Sequence, residues 1–340
     1  MLKISTRFDG GAVIVHDLAD PQNIRLSIRP DNASDFAQWF YFRLQGAAYQ
    51  NCVMHFENAA SSAYPSGWED YQARASYDRQ NWFCVPTRYE NGVLTIEHTP
   101  LSNSVYYAYF EPYSSEQHLN LLGDAQGSGL CQIDDLGSTV EGRDINLLTI
   151  GNQVESDLKI WVIARQHPGE TMAEWFIEGL LARLLDPQDP TARALLDSAT
   201  FYVVPNMNPD GSALGNLRTN AAGANLNREW LSPSEERSPE VFYVREKMRE
   251  TGVDLFLDIH GDERGASLYF RGGNRRRARL RPAYCGIGKP LQSRLYRRQP
   301  RFPRRARLRK RPARPSRPLH GDKLGGQHLR LPGLYVGNAV

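Results

Sequence analysis

The sequence predicts an α/β protein in two parts, an N-terminal antiparallel β-sandwich followed by an α/β domain with a largely parallel sheet. Three observations predict this class. Short aromatic and β-branched segments fill residues 1–125, strands and helices alternate from residue 158 to residue 260, and both patterns stop near residue 271. At 340 residues, the chain is long enough for two domains that each bury a core.

Residues 1–125 are predicted to form the β-sandwich module. Segments such as QWFYFRLQG, QNCVMHFE and GVLTIEHT are aromatic or β-branched and are separated by turn residues, a pattern typical of strands. Asn91-Gly92 is a favoured two-residue hairpin turn. Several short strands at close spacing predict an antiparallel sandwich. The plainest role for such a module is a scaffold without chemistry of its own.

Residues 126–270 are predicted to form the second domain, in which the two periodicities alternate. Strands are predicted at 158–165, 200–208 and 253–260, and helices at 171–185 and 238–250. Pro209-Asp210-Gly211 predicts a tight turn after the middle strand. An open sheet built this way places its ligands at the carboxyl ends of its strands.

The net charge of +3 conceals a sharp division. Residues 1–270 contain 20 Lys and Arg against 37 Asp and Glu, whereas residues 271–320 contain 19 Lys and Arg and no acidic residue. Residues 271–340 are therefore predicted to be disordered, because they carry too much like charge and too few apolar groups to bury a core. Two explanations stay open: translation in a shifted reading frame, or a basic tail that contacts nucleic acid. A tail normally follows a complete domain, and here it replaces the end of one, which counts against a nucleic-acid partner.

The composition also bears on compartment and redox state. The chain has no apolar run of the ~20 residues that a membrane span needs, and its N-terminus lacks a signal-peptide pattern. Cytoplasm is therefore the expected compartment, and no membrane partner is expected. The four cysteines are scattered without a C-x-x-C pair, which predicts buried free thiols.

The most specific feature is His167-Pro168-Gly169-Glu170, which directly follows the predicted strand 158–165. An imidazole and a carboxylate three residues apart can face one point, and His260 ends another predicted strand. A catalytic zinc ion typically has three protein ligands of this N and O type and one open position. His167, Glu170 and His260 are therefore candidate ligands for one Zn²⁺ ion. For His260, a hydrogen-bonded core histidine is the alternative interpretation.

Three polar residues between the second and third strands extend this site. Arg218 could stabilise a developing oxyanion, because a fixed guanidinium is a strong donor. Arg228 together with Asn227 could clamp a carboxylate. The alternative for each arginine is a solvated surface charge.

These motifs carry a family resemblance. H-P-G-E, N-P-D-G, an Arg, N-R and D-I-H in this order resemble the zinc metallocarboxypeptidases. The spellings QHPGET, NPDGSALGNLR, ANLNREW and LDIHGDE resemble the cytosolic carboxypeptidase branch, as do YFEPYS and HLNLLG in the β-rich module. The resemblance covers about residues 1–270 and implies a mixed-sheet α/β/α domain over 126–270, truncated in this chain.

The resemblance also implies a set of roles. One zinc ion would be held by His167, Glu170 and His260, and Arg218 would stabilise the oxyanion. Asn227 and Arg228 would hold the C-terminal carboxylate of a peptide or protein substrate. The implied activity is hydrolysis of C-terminal residues. Eukaryotic members remove glutamates from acidic C-termini, a preference that is not assumed for this chain.

One part of the family pattern is missing. The family uses a glutamate as general base in a strand near the C-terminus, and this chain has no glutamate after Glu263. Glu263 lies too close to His260 to match, and Asp322 stands in a setting that is not strand-like. We therefore expect this chain to be inactive as a hydrolase. The alternatives are a zinc deacylase of N-acyl amino acids and a non-catalytic protein that binds C-termini.

Overall fold

The computed structural model describes residues 1–151 and 158–262, together with the backbone of Leu334–Gly337. Glu263, Asp322 and one of the four cysteines, Cys285, lie outside the described residues, as does the Arg/Pro-rich segment 271–320.

Ten short strands build the N-terminal module. They are β1 (Lys3–Ser5), β2 (Ile14–Asp17), β3 (Ile24–Ser27), β4 (Tyr41–Gln45), β5 (Cys52–Phe56), β6 (Arg74–Ser76), β7 (Trp82–Cys84), β8 (Thr87–Glu90), β9 (Val93–His98) and β10 (Ser104–Ala108). One sheet has the order β1-β4-β10-β6-β7 and the other has the order β2-β3-β5-β9-β8. Within this fully described module the pairing is antiparallel except between β3 and β5, which run parallel. The predicted β-sandwich is thus confirmed, with one parallel pair that the sequence did not indicate.

Aromatic side chains fill the module where the strand alternation turns them inward. Phe40, Phe42 and Phe56 are fully buried, and the ring centroids of Phe40 and Phe56 lie 4.6 Å apart. The predicted hairpin joins β8 to β9, since Glu90 pairs with Val93 across Asn91-Gly92. Both turn residues have positive φ, 51° and 83°, as a type I′ turn requires.

The second domain contains the remaining elements. They are α1 (Ser115–Gly127), β11 (Cys131–Ser138), β12 (Asp144–Ile150), β13 (Leu158–Ala164), α2 (Met172–Leu184), α3 (Pro190–Ser198), β14 (Ala199–Val204), α4 (Pro209–Leu214), α5 (Pro239–Thr251), β15 (Leu255–Gly261) and β16 (Leu334–Gly337). The sheet order is β11-β12-β14-β13-β15-β16. Strand β13 pairs in parallel with β14 and β15, and the outer pairs are antiparallel. The mixed sheet that the resemblance implies is confirmed, whereas the largely parallel sheet predicted from the alternation is wrong, because only two of the five described strand pairs are parallel.

Helices cover both faces of this sheet. On one face, Val162 and Ala164 pack with Ile177 and Leu181 of α2. On the other face, Trp161 of the same strand packs with side chains of α5. Because successive side chains of β13 point to opposite faces, a nearly continuous apolar strand supplies both cores. The arrangement is an α/β/α sandwich.

Several elements differ from the sequence prediction, among them α1 and α4. Pro209-Asp210-Gly211 was predicted as a tight turn and is instead the first turn of α4, because Asn208 caps the helix and Pro209 occupies its first position. Helix α1 was not predicted. A capping box between Ser114 and Gln117 starts it.

Two predictions from composition can be compared with the described residues. None of the described helices is long and apolar enough to cross a membrane. Cys52, Cys84 and Cys131 are free thiols, as predicted, but Cys84 is exposed rather than buried.

A buried carboxyl supports the loop between α4 and α5. Glu240 is fully buried near the start of α5, and the Asn220 side-chain amide donates to its carboxylate oxygens at 3.1 and 3.3 Å. Burial raises the pKa of Glu240 from its ordinary 4.5 to about 7.

We predict that Glu240→Gln flattens part of the pH dependence of stability. Between pH 4.5 and pH 7 the folded protein keeps a proton that the unfolded chain releases, so the free energy of unfolding falls as the pH rises through this window. The neutral glutamine avoids this loss, and its advantage over the wild type should grow by about 1–3 kcal/mol from pH 5 to pH 8. Urea unfolding at both pH values measures it, with the exposed Glu236→Gln as control. Identical pH dependence in wild type and Glu240→Gln would contradict the prediction.

Candidate metal centre and substrate site

The turn after β13 is held from behind by a buried ion pair. Arg165 adopts a positive φ of 57°, and its Nη1 lies 2.6 Å from Oε2 of the fully buried Glu174. Its Nε also donates to the carbonyl of Pro168 at 3.0 Å. Removing one partner of such a buried pair typically costs about 3–5 kcal/mol. The Arg165 guanidinium therefore fixes the backbone turn that carries His167 and Glu170.

Three predicted ligands converge beyond this turn. Glu170 lies between two imidazoles, with Oε1 at 2.7 Å from Nδ1 of His167 and Oε2 at 2.8 Å from Nδ1 of His260. One potential ligand atom from each residue lies within 4.8 Å of the others. All three residues are buried, at 3%, 4% and 1% exposure. The sheet explains the meeting, because β13 and β15 are parallel neighbours whose carboxyl ends share one edge.

The charges around Glu170 keep it ionised. Burial opposes the carboxylate, but the two imidazoles outweigh it and hold its pKa well below the usual value. Burial lowers the pKa of His167. For His260, burial acts in the same direction, but the carboxylates of Asp258 and Glu170 prevail and raise its pKa. A carboxylate and two imidazole nitrogens facing one point are a donor set that suits zinc, so the residues present fit the ion.

Outer hydrogen bonds orient both imidazoles. Nε2 of His260 lies 2.8 Å from Oδ2 of Asp258, and Nε2 of His167 lies 3.2 Å from Oδ1 of Asn225. An imidazole that donates through Nε2 alone carries its lone pair on Nδ1, so with these outer partners both inward-facing nitrogens can exchange their contacts with Glu170 for a metal ion. The two histidines differ in their support, since one is backed by a carboxylate and the other by an amide.

Asp258 is itself held by a buried relay. Gln166 donates from Nε2 to Oδ2 of Asp258 at 2.6 Å and accepts from the indole N–H of Trp230 at 2.8 Å. Asp258 and Gln166 are fully buried. The second oxygen of Asp258, Oδ1, has no hydrogen-bond partner among the described residues. The aspartate thus depends on few groups, and His260 is one of them.

The segment after β14 packs directly on residues 165–170, the turn after β13 that carries His167 and Glu170 and is called the metal turn below. Asn208 accepts from the Gly211 amide at 3.0 Å and donates to the carbonyl of Gln166 at 3.1 Å. A Cβ on Gly211 would come within 2.5 Å of Pro168 Cγ and of the Thr219 carbonyl oxygen. Only glycine fits there, so the close packing of the Asn208–Gly211 segment on the His167–Glu170 segment depends on Gly211.

Arg218 lies beside this cluster. Its charge is close enough to contribute to the lowered pKa of His167. Its guanidinium carbon lies 5.5 Å from the ring centroid of Phe36 and 5.6 Å from that of Tyr64. The predicted oxyanion donor is thus near the candidate ligands, although both aromatic neighbours come from the N-terminal module.

Asn227 and Arg228 lie in different environments. Both belong to a short 3₁₀ turn, Leu226–Arg228. The Asn227 amide lies 3.3 Å from Nε2 of His260. Arg228 is exposed, and its Nη1 donates to the carbonyl of Asn227 at 3.1 Å. Arg228 therefore lies on the solvent side of the cluster, and its predicted contact with a carboxylate stays a prediction.

The supporting residues were not predicted from the sequence. Asp258 stands two residues before His260, and because residues two apart in a strand share a face, its position could have been recognised. Gln166, Asn225 and Trp230 gave no comparable signal, because their roles depend on hydrogen bonds between distant segments.

Comparison with known proteins matches both parts of the chain. A model described as the cytosolic carboxypeptidase N-terminal domain matches residues 4–110, and a model described as zinc carboxypeptidase matches residues 120–282. An uncharacterised protein of Zymomonas mobilis is 51% identical over 271 residues, which cover 80% of this chain and 70% of that protein. Bovine cytosolic carboxypeptidase 3 is 27% identical over 305 residues, but only 30% of its length is covered.

Solved structures give the same picture. A metallo-carboxypeptidase from Burkholderia cenocepacia is 57% identical with a TM-score of 0.76, covering 78% of this chain and 72% of that one. A metallo-carboxypeptidase from Pseudomonas aeruginosa, in complex with (2-guanidinoethylmercapto)succinic acid, is 50% identical with a TM-score of 0.75 over 78% and 72% of the two chains.

We predict that Asp258→Asn weakens zinc binding about 10- to 100-fold, because the amide loses the charge that orients His260 and raises its basicity. Competition with a chromophoric chelator measures the affinity. Asp254→Asn is the matched control, since this aspartate directly precedes the same strand at its far end, where it accepts from the Lys159 amide. Equal zinc affinity in wild type and Asp258→Asn would refute the role given to Asp258.

Proposed function

The chain belongs to the zinc carboxypeptidase family, and we propose that its site holds one zinc ion and grips the C-terminal end of a peptide or protein. The observation that supports this most strongly is the buried convergence of His167, Glu170 and His260, with Arg218 beside them. Zinc is the cofactor of this family. When bound, it supplies a Lewis acid that polarises a carbonyl and makes water a better nucleophile.

We assign the remaining polar groups to the two parts of a peptide C-terminus that they suit chemically, its last carbonyl oxygen and its terminal carboxylate. Arg218 donates to the carbonyl oxygen of the last peptide bond as negative charge develops there. The Asn227 amide and the Arg228 guanidinium bind the terminal carboxylate, for which an arginine fork is well shaped. Binding of the free carboxylate restricts the enzyme type to an exopeptidase.

Acidic C-terminal residues are the proposed preference. Beyond these contacts, the positive charges of Arg218 and Arg228 attract a peptide whose last side chains are acidic over one whose last side chains are neutral. The compound bound to the Pseudomonas aeruginosa relative carries a guanidine group as well as two carboxylates, so it does not itself distinguish an acidic from a basic side chain. Cytoplasm is the proposed location, since the matched relatives include cytosolic carboxypeptidases.

We further propose that this chain binds without hydrolysing. General-base catalysis needs a group that removes a proton from water and delivers it to the leaving amine. Residues 264–340 contain no glutamate, and the acidic residues of the described cluster, Glu170 and Asp258, are already engaged with imidazoles. The zinc ion and the substrate-binding groups would then remain without the proton-transfer step.

The test combines binding and turnover on the zinc-loaded full chain. We expect a peptide that ends in two glutamates to bind, its C-terminal amide analogue to bind at least 10-fold more weakly because it lacks the carboxylate charge, and no free glutamate to appear. Calorimetry measures binding, and mass spectrometry follows release of the amino acid. Hydrolysis that disappears in His167→Ala would overturn the inactive assignment. Equal binding of acid and amide would overturn the proposed recognition of C-termini.

A further inference from the structure

The loop that carries Arg218 rests on the N-terminal module. This loop, residues 214–223, follows α4 and lies against module residues 29–36. Arg29 donates from Nη2 to the carbonyls of Leu214 and Gly215 at 2.6 and 3.1 Å. A Cβ on Gly223, whose φ is +74°, would come within 2.4 Å of the Ala33 carbonyl oxygen. The module and the loop are therefore in direct contact at both ends of the loop.

A single module carboxylate grips the middle of this loop. Asp31 is 5% exposed and accepts from the backbone N–H of Leu217 at 2.6 Å, of Arg218 at 2.8 Å and of Thr219 at 2.9 Å. Three successive amides that point at one carboxylate form an anion nest, and hydrogen bonds to an ionised acceptor are stronger than neutral ones. The backbone position of Arg218 is thus fixed from the module.

The same loop contacts the metal turn on its other side. The Leu217 carbonyl accepts from the Gly169 amide at 2.9 Å, directly between His167 and Glu170 in the chain. Asp31, Leu217 and Gly169 therefore form one continuous connection from the module to the candidate ligands.

The guanidinium of Arg218 is held by the module as well. Phe36 and Tyr64 each place a ring within 6 Å of its central carbon, and both rings are half-buried. A cation above an aromatic face gains ~0.5–2 kcal/mol, more when it is shielded from water. Two rings restrict the rotamers of a long side chain that would otherwise sample many.

We propose that the β-sandwich module is a working part of the substrate site, in which Asp31, Phe36 and Tyr64 are positioning residues for Arg218. Asp31 fixes the backbone, and the two rings aim the guanidinium at the carbonyl oxygen of the bound C-terminus. This inference rests on the proposed function, which assigns Arg218 to that oxygen. It replaces the interpretation of the module as a scaffold without a part in the chemistry.

The test measures the binding of a peptide ending in two glutamates to the zinc-loaded full chain. Phe36→Leu combined with Tyr64→Leu should weaken binding about 3- to 30-fold, the range expected for the loss of cation–π contacts. In an Arg218→Ala background the same pair should cost almost nothing, because the group that it positions is gone. Phe36→Tyr keeps an aromatic face and should retain wild-type affinity. Phe83→Leu, an exposed aromatic change elsewhere in the module, is the matched control.

The outcomes separate this inference from the proposed function. If Arg218→Ala weakens binding but the double leucine variant does not, the positioning role is wrong and the proposed function stands. If the double variant costs as much without Arg218 as with it, the rings act independently of Arg218 and the inference also fails. If Arg218→Ala binds normally, both the inference and the assigned role of Arg218 are wrong. Zinc affinity and thermal unfolding of every variant show whether a loss reflects misfolding. Asp31→Asn turns an amide –NH2 towards one of the backbone N–H groups, so it should weaken peptide binding; unchanged peptide affinity would contradict the role of Asp31.

Discussion

The site depends on one buried carboxylate. Glu170 is 4% exposed, and an ionised group there is tolerated only if donors or cations surround it. Two imidazoles and the Gly261 amide, at 2.9 Å, supply that environment. The need to surround the Glu170 carboxylate with donors determines much of the local structure, because it brings the turn after β13 against the end of β15. A small residue also suits position 261, where a Cβ would clash with the Met172 sulfur and lie 3.2 Å from Glu170 Cβ.

Support for this carboxylate spreads outward in two directions. Towards α5, His260 is held by Asp258, which is held by Gln166 and then by Trp230. Towards the N-terminal module, the metal turn is tied to Leu217 and through it to Asp31. Every link is a hydrogen bond between largely buried groups, so each loss leaves an unsatisfied partner, which is costlier than loss of the bond itself. The centre is therefore built by both parts of the chain.

Much of this could be predicted from local sequence. The strand that ends before His167 and the strand that ends at His260 were visible as apolar runs, and parallel strands bring their ends to one edge. The partnership of Asp31 with residues 217–219 could not be predicted, because it spans about 186 residues and leaves no periodic signal. Helix α1 was missed because two glycines interrupt its pattern, and glycine is a poor helix former. Strand β16 was missed because Leu334–Gly337 is a four-residue segment that ends a stretch rich in Arg and Pro.

The central claim is that His167, Glu170 and His260 form one zinc site that the fold prepares in advance. Metal content after dialysis against zinc and then against metal-free buffer tests it most directly, with the folded state of each variant checked by circular dichroism. We expect one zinc ion per wild-type chain and almost none in Glu170→Gln, which keeps the shape of the side chain but loses its charge. Full zinc occupancy in a folded Glu170→Gln variant would contradict it.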